Sequence, residues 1–307
     1  MQRANVKGRI ISLVLVLVAF VFMLSSCGLL NDGMTEVPPY KQESVDTITV
    51  KMLDVGQGDS ILIMTKTKTL LIDAGINGCG EDVVIDCLKQ YGRKTLDYVI
   101  ATHPHADHVG GLDEVINYAD SVGCVYMPYL PEKLVPTTAA YRNFLESVMN
   151  TDAEVVAPEP GDTFKMDDAT LTFFGSGKEY DDLNDFSLVV RLDYGESSFI
   201  FTGDCRKGAF KDIIKAGWDV DVDVVKAAHH GASNATDKKV FEAMSPEYML
   251  ISCGLDNSYG HPHDEVMELL ADSDTEFYRT DYNGTITVIS DGKDISIEFE
   301  KGIKNGK

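Results

Sequence analysis

From Ile48 onward, short apolar runs bounded by glycine and aspartate alternate with stretches whose apolar positions lie three or four residues apart. The runs are typical of β-strands and the spaced positions of helices. The pattern predicts strands at 49–53, 60–64, 69–72, 96–100, 170–174, 186–193, 197–202, 222–226, 247–252, 276–279, 285–290 and 294–299, and helices at 81–91, 112–119, 139–149, 206–216, 237–244 and 263–271. Two halves of similar style favour an α+β fold of two packed mixed β-sheets with helices outside. Asn283-Gly284 and Asp291-Gly292 are typical of hairpin turns.

Side chains that can bind metal are concentrated directly after the strand at 96–100, in Thr-His-Pro-His-Ala-Asp-His-Val-Gly-Gly. Imidazole nitrogen with some carboxylate oxygen is the ligand set that zinc prefers. Alternate residues of an extended segment share a face, so His103 and His105 can reach one ion together. Asp107 and His108 follow where the chain turns into a helix, and therefore point towards a second ion. The segment predicts two neighbouring metal sites rather than a solvated histidine cluster.

Two aspartates end other apolar strands. Asp73 is either a strand-ending turn residue or a hydrogen-bond acceptor that orients a ligand histidine. Asp204 is either a turn residue as well or a carboxylate that bridges two ions, one with each oxygen.

Further polar residues fall at strand ends of the second half. Adjacent histidines point in different directions, so we expect one ligand from His229 and His230. We favour His229, which continues the alternation of its strand, and interpret His230 as a substrate contact or the alternative ligand. His261 is either a helix-cap residue or a contact to phosphate or metal-held water. Asn184 and Ser187 are either a turn leading into a strand or hydrogen-bond donors to an oxyanion.

The N-terminus indicates export. Three basic residues precede the apolar run 10–23, which is short for a membrane span of about 20 residues, and small residues then lead to Cys27. This ending resembles a bacterial lipobox, in which Cys27 would be lipidated; secretion or an uncleaved signal anchor are the alternatives. We therefore expect a lipoprotein signal peptide at 1–27, a flexible tether at 28–47 and an extracytoplasmic domain at 48–307.

The chain is acidic, with a formal net charge of −22. Loss of residues 1–27, which carry three basic and no acidic residues, would change this to −25. Such a surface repels polyanions and disfavours binding of bulk nucleic acid. Five cysteines remain besides Cys27, without a CxxC pair, and Cys79–Cys87 is the only locally plausible bridge.

The polar clusters together resemble a known family. His103-x-His105-x-Asp107-His108 resembles the signature of the metallo-β-lactamase fold, with Asp73, Asp204 and His229 in its flanking motifs. The resemblance to the extracytoplasmic hydrolase domain of ComEC-type competence proteins spans about 48–290 and rests on Leu53-Asp54-Val55-Gly56-Gln57-Gly58-Asp59-Ser60, Asn184-x-x-Ser187, His229-His230-Gly231 and Asn257-Ser258-Tyr259-Gly260-His261-Pro262-His263. Cell-surface phosphorylcholine esterases share much of this pattern. The resemblance implies an αββα four-layer sandwich that binds two divalent ions, Zn²⁺ or Mn²⁺.

One departure concerns the first metal site. Most members with two ions have a further histidine before Asp204, but this chain, like ComEC-type members, has none between His108 and His229. The first site would hold His103, His105 and Asp204 and bind weakly. The second would hold Asp107, His108 and His229, with Asp204 shared.

The function implied is hydrolysis. A metal-bound water has a pKa near 7 rather than 15.7, and two ions stabilise the attacking and leaving oxygens of a phosphodiester. Asp107 is then both ligand and catalytic carboxylate, and Asn184, Ser187, His230 and His261 contact substrate. We expect a phosphodiesterase or nuclease, or a phosphorylcholine-type esterase, held at the membrane by its lipid anchor. A lactam, lactone or thioester hydrolase and a non-enzymatic metal- or ligand-binding lipoprotein are the alternatives.

Overall fold

The computed structural model describes residues 47–302. The segment 1–46, which contains the predicted signal peptide, Cys27 and nearly all of the tether, lies outside the described residues, as do residues 303–307. Between 47 and 302 no helix combines the length and the apolar character needed to cross a membrane.

The strands within 47–302 form two mixed sheets. They are β1 (Ile48–Met52), β2 (Ile61–Met64), β3 (Thr69–Ile72), β4 (Thr95–Ile100), β5 (Ser121–Tyr126), β6 (Glu154–Val156), β7 (Thr163–Met166), β8 (Ala169–Phe174), β9 (Val189–Tyr194), β10 (Ser197–Phe201), β11 (Val224–Lys226), β12 (Tyr248–Ile251), β13 (Glu276–Arg279), β14 (Ile286–Ser290) and β15 (Ile295–Phe299). The first sheet has the order β15-β14-β1-β2-β3-β4-β5-β6 and the second β13-β12-β11-β10-β9-β8-β7. Strands β3 to β6 and β10 to β13 pair in parallel, and the remaining pairs are antiparallel.

Helices connect the strands. A π-helical turn, Gly80–Ile85, leads into α1 (Asp86–Gln90), followed by α2 (Ala106–Val109), α3 (Leu112–Tyr118), α4 (Ala139–Met149), α5 (Lys207–Lys215), α6 (Lys238–Met244), α7 (Asp264–Ala271) and α8 (Thr280–Asn283). Short 3₁₀ turns lie at Glu132–Leu134, Leu183–Phe186 and Ala228–Gly231.

Three hydrophobic cores separate four layers. Ile61 and Ile63 of β2 face the second sheet, whereas Leu62 and Met64 face the helices that cover the first sheet. On β10, Ile200 likewise packs under the helices of the second half. Because side chains alternate between the faces of a strand, each strand supplies two cores. The predicted α+β sandwich of two mixed sheets flanked by helices is confirmed.

Some elements differ from the prediction. Strands β5, β6 and β7 were not predicted, and β5 is interrupted in sequence by Gly123. A Cβ at Gly123 would lie 2.5 Å from Asp97 O, so the glycine allows close strand packing. The predicted strand 186–193 begins only at Val189, after a 3₁₀ turn that contains Asn184.

The predicted hairpin at Asn283-Gly284 is wrong. Strand β13 pairs with β12 in the second sheet, while β14 pairs with β1 in the first. The chain between them forms α8 and turns at Gly284, whose φ is +66°. The hairpin at Asp291-Gly292 is confirmed, since it joins β14 to β15.

The Cys79–Cys87 bridge is also wrong. All five cysteines of the described residues are free thiols. Cys79 immediately precedes the π-helical turn and Cys87 lies in α1, so about two turns of helix separate them. A disulfide requires Cα atoms within about 7 Å.

The parallel strands position the polar clusters. Strands β3 and β4 of the first sheet lead into Asp73 and His103, and β10, β11 and β12 of the second lead into Asp204, the 229–230 pair and the loop before His261. Loops at the carboxyl ends of parallel strands meet at one edge, and a rigid scaffold presents them there.

Candidate metal centre

His108 lies at the middle of the candidate metal centre. Helix α2 begins after His105 and buries the His108 ring completely. Its Nδ1 donates to Asp73 Oδ2 at 2.8 Å. Its Nε2 lies 3.2 Å from Asp204 Oδ2 and 3.9 Å from Asp107 Oδ2, but without the alignment of a hydrogen bond. One nitrogen is therefore fixed by Asp73, while the other is directed at two carboxylates.

Asp73 orients a second histidine through Thr102. The fully buried carboxylate accepts from Thr102 N at 2.8 Å and from Thr102 Oγ1 at 2.6 Å. Because the hydroxyl proton is directed at Asp73, Thr102 Oγ1 accepts from His103 Nδ1 at 3.1 Å. The Nε2 lone pair of His103 then faces His105 Nδ1 at 3.0 Å. The predicted pair of His103 and His105 thus converges, and Asp73 lies where the sequence places an orienting acceptor.

Asp204 connects the histidines of both halves. Its Oδ2 lies within 3.2–3.8 Å of ring nitrogens of His103, His108, His229 and His230. Its Oδ1 has no hydrogen-bond partner. The sequence predicts one ion for each oxygen, but the structure turns a single oxygen towards all four rings.

The two adjacent histidines have different surroundings. His230 is buried, donates from Nδ1 to Ser252 O at 3.0 Å and directs Nε2 at Asp107 Oδ2, 3.4 Å away. His229 is partly exposed and lies 3.1 Å from Asn234 Oδ1 through Nδ1.

Four residues have potential ligand atoms that all lie within 4.8 Å of one another: Asp107, His108, Asp204 and His230. His229 is not in this group. The geometry therefore ranks His230 above His229, the reverse of the sequence-based preference. Both residues have left-handed φ values, 51° and 56°, so the alternation of β11 does not continue into them.

The predicted substrate contacts lie beside this cluster. The ring of His261 is 5.5 Å from that of His229 and 5.9 Å from that of His230, and its Nδ1 is 3.3 Å from Gln57 Nε2. Ser187 Oγ accepts from Asp204 N at 3.0 Å and so supports the metal-binding loop. The structure places Asn184 in a 3₁₀ turn, and its buried Oδ1 has no hydrogen-bond partner.

Two charged residues at the centre were given no role in the sequence analysis, although Asp59 lies in one of the motifs that resemble ComEC-type proteins. Lys226 and Asp59 are buried and contact each other, and Asp59 Oδ1 is 3.3 Å from His230 Nδ1. A lysine that ends an otherwise apolar strand, and an aspartate in the glycine-rich loop after β1, were the available signals.

Burial and charge set opposite protonation states for neighbouring rings. Burial lowers the pKa of His108, but the Asp204 and Asp73 carboxylates outweigh it and hold that pKa well above its usual value. Burial, together with His108, lowers the pKa of His103 well below its usual value. Burial also opposes the charge on His230, yet Asp204 and Asp59 raise its pKa to about 9.

The Asp204 and Asp107 carboxylates are ionised at neutral pH. Burial would raise the pKa values of Asp204 and Asp107, but the surrounding histidines lower both. Anionic oxygens and buried Nε2 atoms of His108 and His230 that lack hydrogen-bond partners are directed at one point. This donor set fits a divalent cation that binds nitrogen and oxygen ligands.

Two curated proteins are similar to this chain in sequence. The chain is 29% identical to ComE operon protein 3 of Bacillus subtilis (strain 168), over 77% of this chain and 32% of that protein. It is 27% identical to Competence protein ComA of Neisseria gonorrhoeae, over 80% of this chain and 33% of that protein. The chain thus spans about a third of the length of these curated relatives.

Two further comparisons concern the fold and the family. The metallo-beta-lactamase fold protein YhfI of Bacillus subtilis aligns with a TM-score of 0.49 and 15% identity, over 76% of this chain and 96% of that one. The sequence profile described as Metallo-beta-lactamase superfamily matches residues 53–254. The resemblance seen in the sequence is confirmed: the chain belongs to the metallo-beta-lactamase superfamily, whose members are generally metal-dependent hydrolases.

Proposed function

We propose that this chain is a metal-dependent phosphodiesterase that acts outside the cytoplasmic membrane, to which Cys27 anchors it as a lipoprotein. The observation that carries the hydrolytic part is the convergence of Asp107, His108, Asp204 and His230, whose ligand atoms lie within 4.8 Å of one another. Buried imidazole nitrogens that lack hydrogen-bond partners are costly unless a cation or proton occupies the site.

Two ions fit the donors present. Asp107, His108, Asp204 and His230 would hold one ion, and the pair formed by His103 and His105 would hold the other with the shared Asp204 oxygen. The second set has fewer side chains, which supports weaker binding there. Nitrogen with oxygen ligands suits Zn²⁺ or Mn²⁺. When bound, such ions supply an activated water and stabilise charge on the oxygens of the ester.

Protein groups at the edge of the centre would contact the substrate. Gln57 Oε1 accepts from Gly254 N, so its amide nitrogen donates to His261 Nδ1 and leaves His261 Nε2 protonated. Burial, together with His230, lowers the pKa of His261 to about 4, so the ring is neutral at physiological pH. A neutral ring with a free Nε2–H can donate to negative charge on the substrate. Removal of one such donor typically costs about 10²–10³ in kcat.

Two observations support a phosphodiester substrate of restricted size. One relative is named as a competence protein, which supports a nucleic-acid ester. The net charge of −22 opposes long polyanions and supports short esters or a cationic headgroup such as phosphorylcholine. We therefore rank single-stranded oligonucleotides and phosphorylcholine esters above duplex DNA.

The activity is tested with full-length chain purified in detergent, stripped of metal and reloaded with Zn²⁺ or Mn²⁺. Substrates are bis-p-nitrophenyl phosphate, single-stranded DNA, p-nitrophenyl phosphorylcholine and nitrocefin. We expect metal-dependent turnover of at least one phosphodiester. Turnover of nitrocefin alone would establish a lactam hydrolase instead, and metal binding without turnover would favour a binding lipoprotein.

The anchor has its own test. Cells that express the chain are labelled with a clickable fatty acid, with Cys27→Ala as the variant and Cys79→Ala as the matched control. Label in the parent and the control but not in Cys27→Ala is expected. Equal labelling of all three, or of none, would contradict the lipoprotein assignment.

A further inference from the structure

A lysine ammonium lies directly beneath the candidate metal centre. Lys226 ends β11 and is 1% exposed. Its Nζ contacts Asp59 Oδ2, donates to Gly203 O at 2.9 Å and lies 3.7 Å from Asp204 Oδ1. A buried ammonium is costly unless it is paired and hydrogen-bonded, and here the partners come from two loops, the one between β1 and β2 and the one after β10.

The two carboxylate oxygens of Asp204 have different neighbours. Oδ2 faces only ring nitrogens, at 3.2–3.8 Å. Oδ1 is turned towards Lys226 and has no hydrogen-bond partner. A fixed positive charge attracts Oδ1 and repels any other cation from the same side.

The same lysine shapes the loops that carry the ligands. Gly203 O accepts from Lys226 Nζ and also from His229 N at 3.1 Å, so one carbonyl connects the ends of β10 and β11. Thr202 Oγ1 donates to Lys226 O at 2.8 Å. The residues that precede Asp204 are therefore held by Lys226.

Asp59 ties this lysine to the opposite sheet. It lies in the loop between β1 and β2, and its Oδ1 is 3.3 Å from His230 Nδ1. Asp59, Asp73 and His108 also form a group with the spacing of metal ligands. In this group Lys226 already neutralises Asp59, and His108 Nδ1 already donates to Asp73. The charges of this group are thus compensated without an ion of its own, although Asp59 Oδ1 has no hydrogen-bond partner.

We infer that Lys226, held in place by Asp59, is a positioning residue that restricts Asp204 to metal ligation through Oδ2. The inference rests on the proposed metal-dependent function. Without the ammonium both oxygens of Asp204 become available to a single ion, and the histidines on the other side lose their shared carboxylate.

The competing explanation is an ion pair that only stabilises the fold, and a double variant separates the two. Lys226→Met alone leaves Asp59 as an unpaired buried charge and is expected to lower the melting temperature. Asp59→Asn combined with Lys226→Met removes both charges, and such replacements are often neutral or stabilising. Lys226→Gln is a second variant, which keeps a hydrogen-bond donor without the charge.

The readout is binding of Mn²⁺ or Zn²⁺ alone to metal-free full-length chain, by calorimetry and native mass spectrometry, beside the melting temperature. We expect the double variant to melt near the parent and Lys226→Gln to melt between Lys226→Met and the parent. Both the double variant and Lys226→Gln should bind at least one ion about 10–100-fold more weakly. The matched control is Lys68→Met with Asp97→Asn, an ion pair at the opposite end of β3 and β4, which should bind as the parent does.

Two outcomes would overturn the inference in distinguishable ways. Parent-like affinity for both ions in well-folded double variant and Lys226→Gln would leave the pair a purely structural role, with the proposed function intact. A parent that binds no divalent ion would remove both the proposed function and this inference.

Discussion

Replacement of Asp73 by asparagine isolates the charge that orients two histidines. The side chain is completely buried and accepts three hydrogen bonds, two from Thr102 and one from His108 Nδ1. Its φ of 56° lies in the left-handed region, where asparagine is also accommodated. The substitution therefore preserves shape and backbone and removes only the carboxylate.

The size of the effect follows from the hydrogen-bond pattern. Oδ1 of Asp73 accepts from Thr102 N, so in Asp73→Asn the new amide would place its oxygen there and its NH₂ group opposite Thr102 Oγ1 and His108 Nδ1. Two donors then face each other, so a neutral His108 would carry its proton on Nε2, the nitrogen directed at the cluster. Loss of such an orienting partner costs about 10–100-fold in metal affinity, or about 1.4–3 kcal/mol.

The assay is competition between metal-free protein and a chromophoric chelator for Mn²⁺ or Zn²⁺. Asp167→Asn is the matched control. Asp167 lies at the turn before β8, also has a positive φ, 49°, and also accepts three hydrogen bonds, from Thr65 and Thr67. We expect weaker binding in Asp73→Asn and parent-like binding in Asp167→Asn. Parent-like affinity in both would refute the orienting role of Asp73.

Three further predictions concern the ligands and the core. His230→Ala should lose metal in native mass spectra while His229→Ala keeps it; the opposite result would restore the sequence-based ranking. Asp204 and Asp59 raise the pKa of His230 to about 9. The protonated His230 ring therefore stabilises the metal-free fold fully below pH 6.5, and this stabilisation disappears as the pH rises through 9. In chemical denaturation, the free energies of unfolding of the parent and of His230→Gln should converge across that interval. The metal affinity of the parent should rise across it, because the ligand histidine loses its proton. A difference in the free energy of unfolding that grows with pH would contradict this. Phe199→Ala, fully buried between the sheets, should cost about 3–5 kcal/mol in urea unfolding, and a cost below about 1 kcal/mol would contradict the packing described.

Much of the layered fold is predictable because strand residues alternate between two buried faces. Leu62 and Ile63 are both apolar, and only their order along β2 assigns them to different cores. The clustering of polar loops was predictable too, since parallel strands end at one edge. Strand β5 was not predictable, because Gly123 lacks the side chain that a strand pattern requires. A glycine is needed there because the backbone of Asp97 lies too close for a side chain.

The details of the centre depend on tertiary structure. Strand alternation favoured His229, but the left-handed backbone at both histidines turns His230 towards Asp107. Asp59 and Lys226 are separated in sequence by most of the domain, so their contact has no local signal. The orientation of Asp204 follows from that contact and could not be predicted from the strand that it follows.

The proposed function requires that separate loops of both sheets hold divalent cations at Asp204. Native mass spectrometry of metal-free full-length chain, titrated with Zn²⁺ or Mn²⁺, tests it most directly beside the Asp204→Ala variant. We expect two ions for each parent chain and the loss of at least one ion in a variant that remains folded. A parent that binds no ion, or a variant that binds both ions as tightly as the parent, would contradict it.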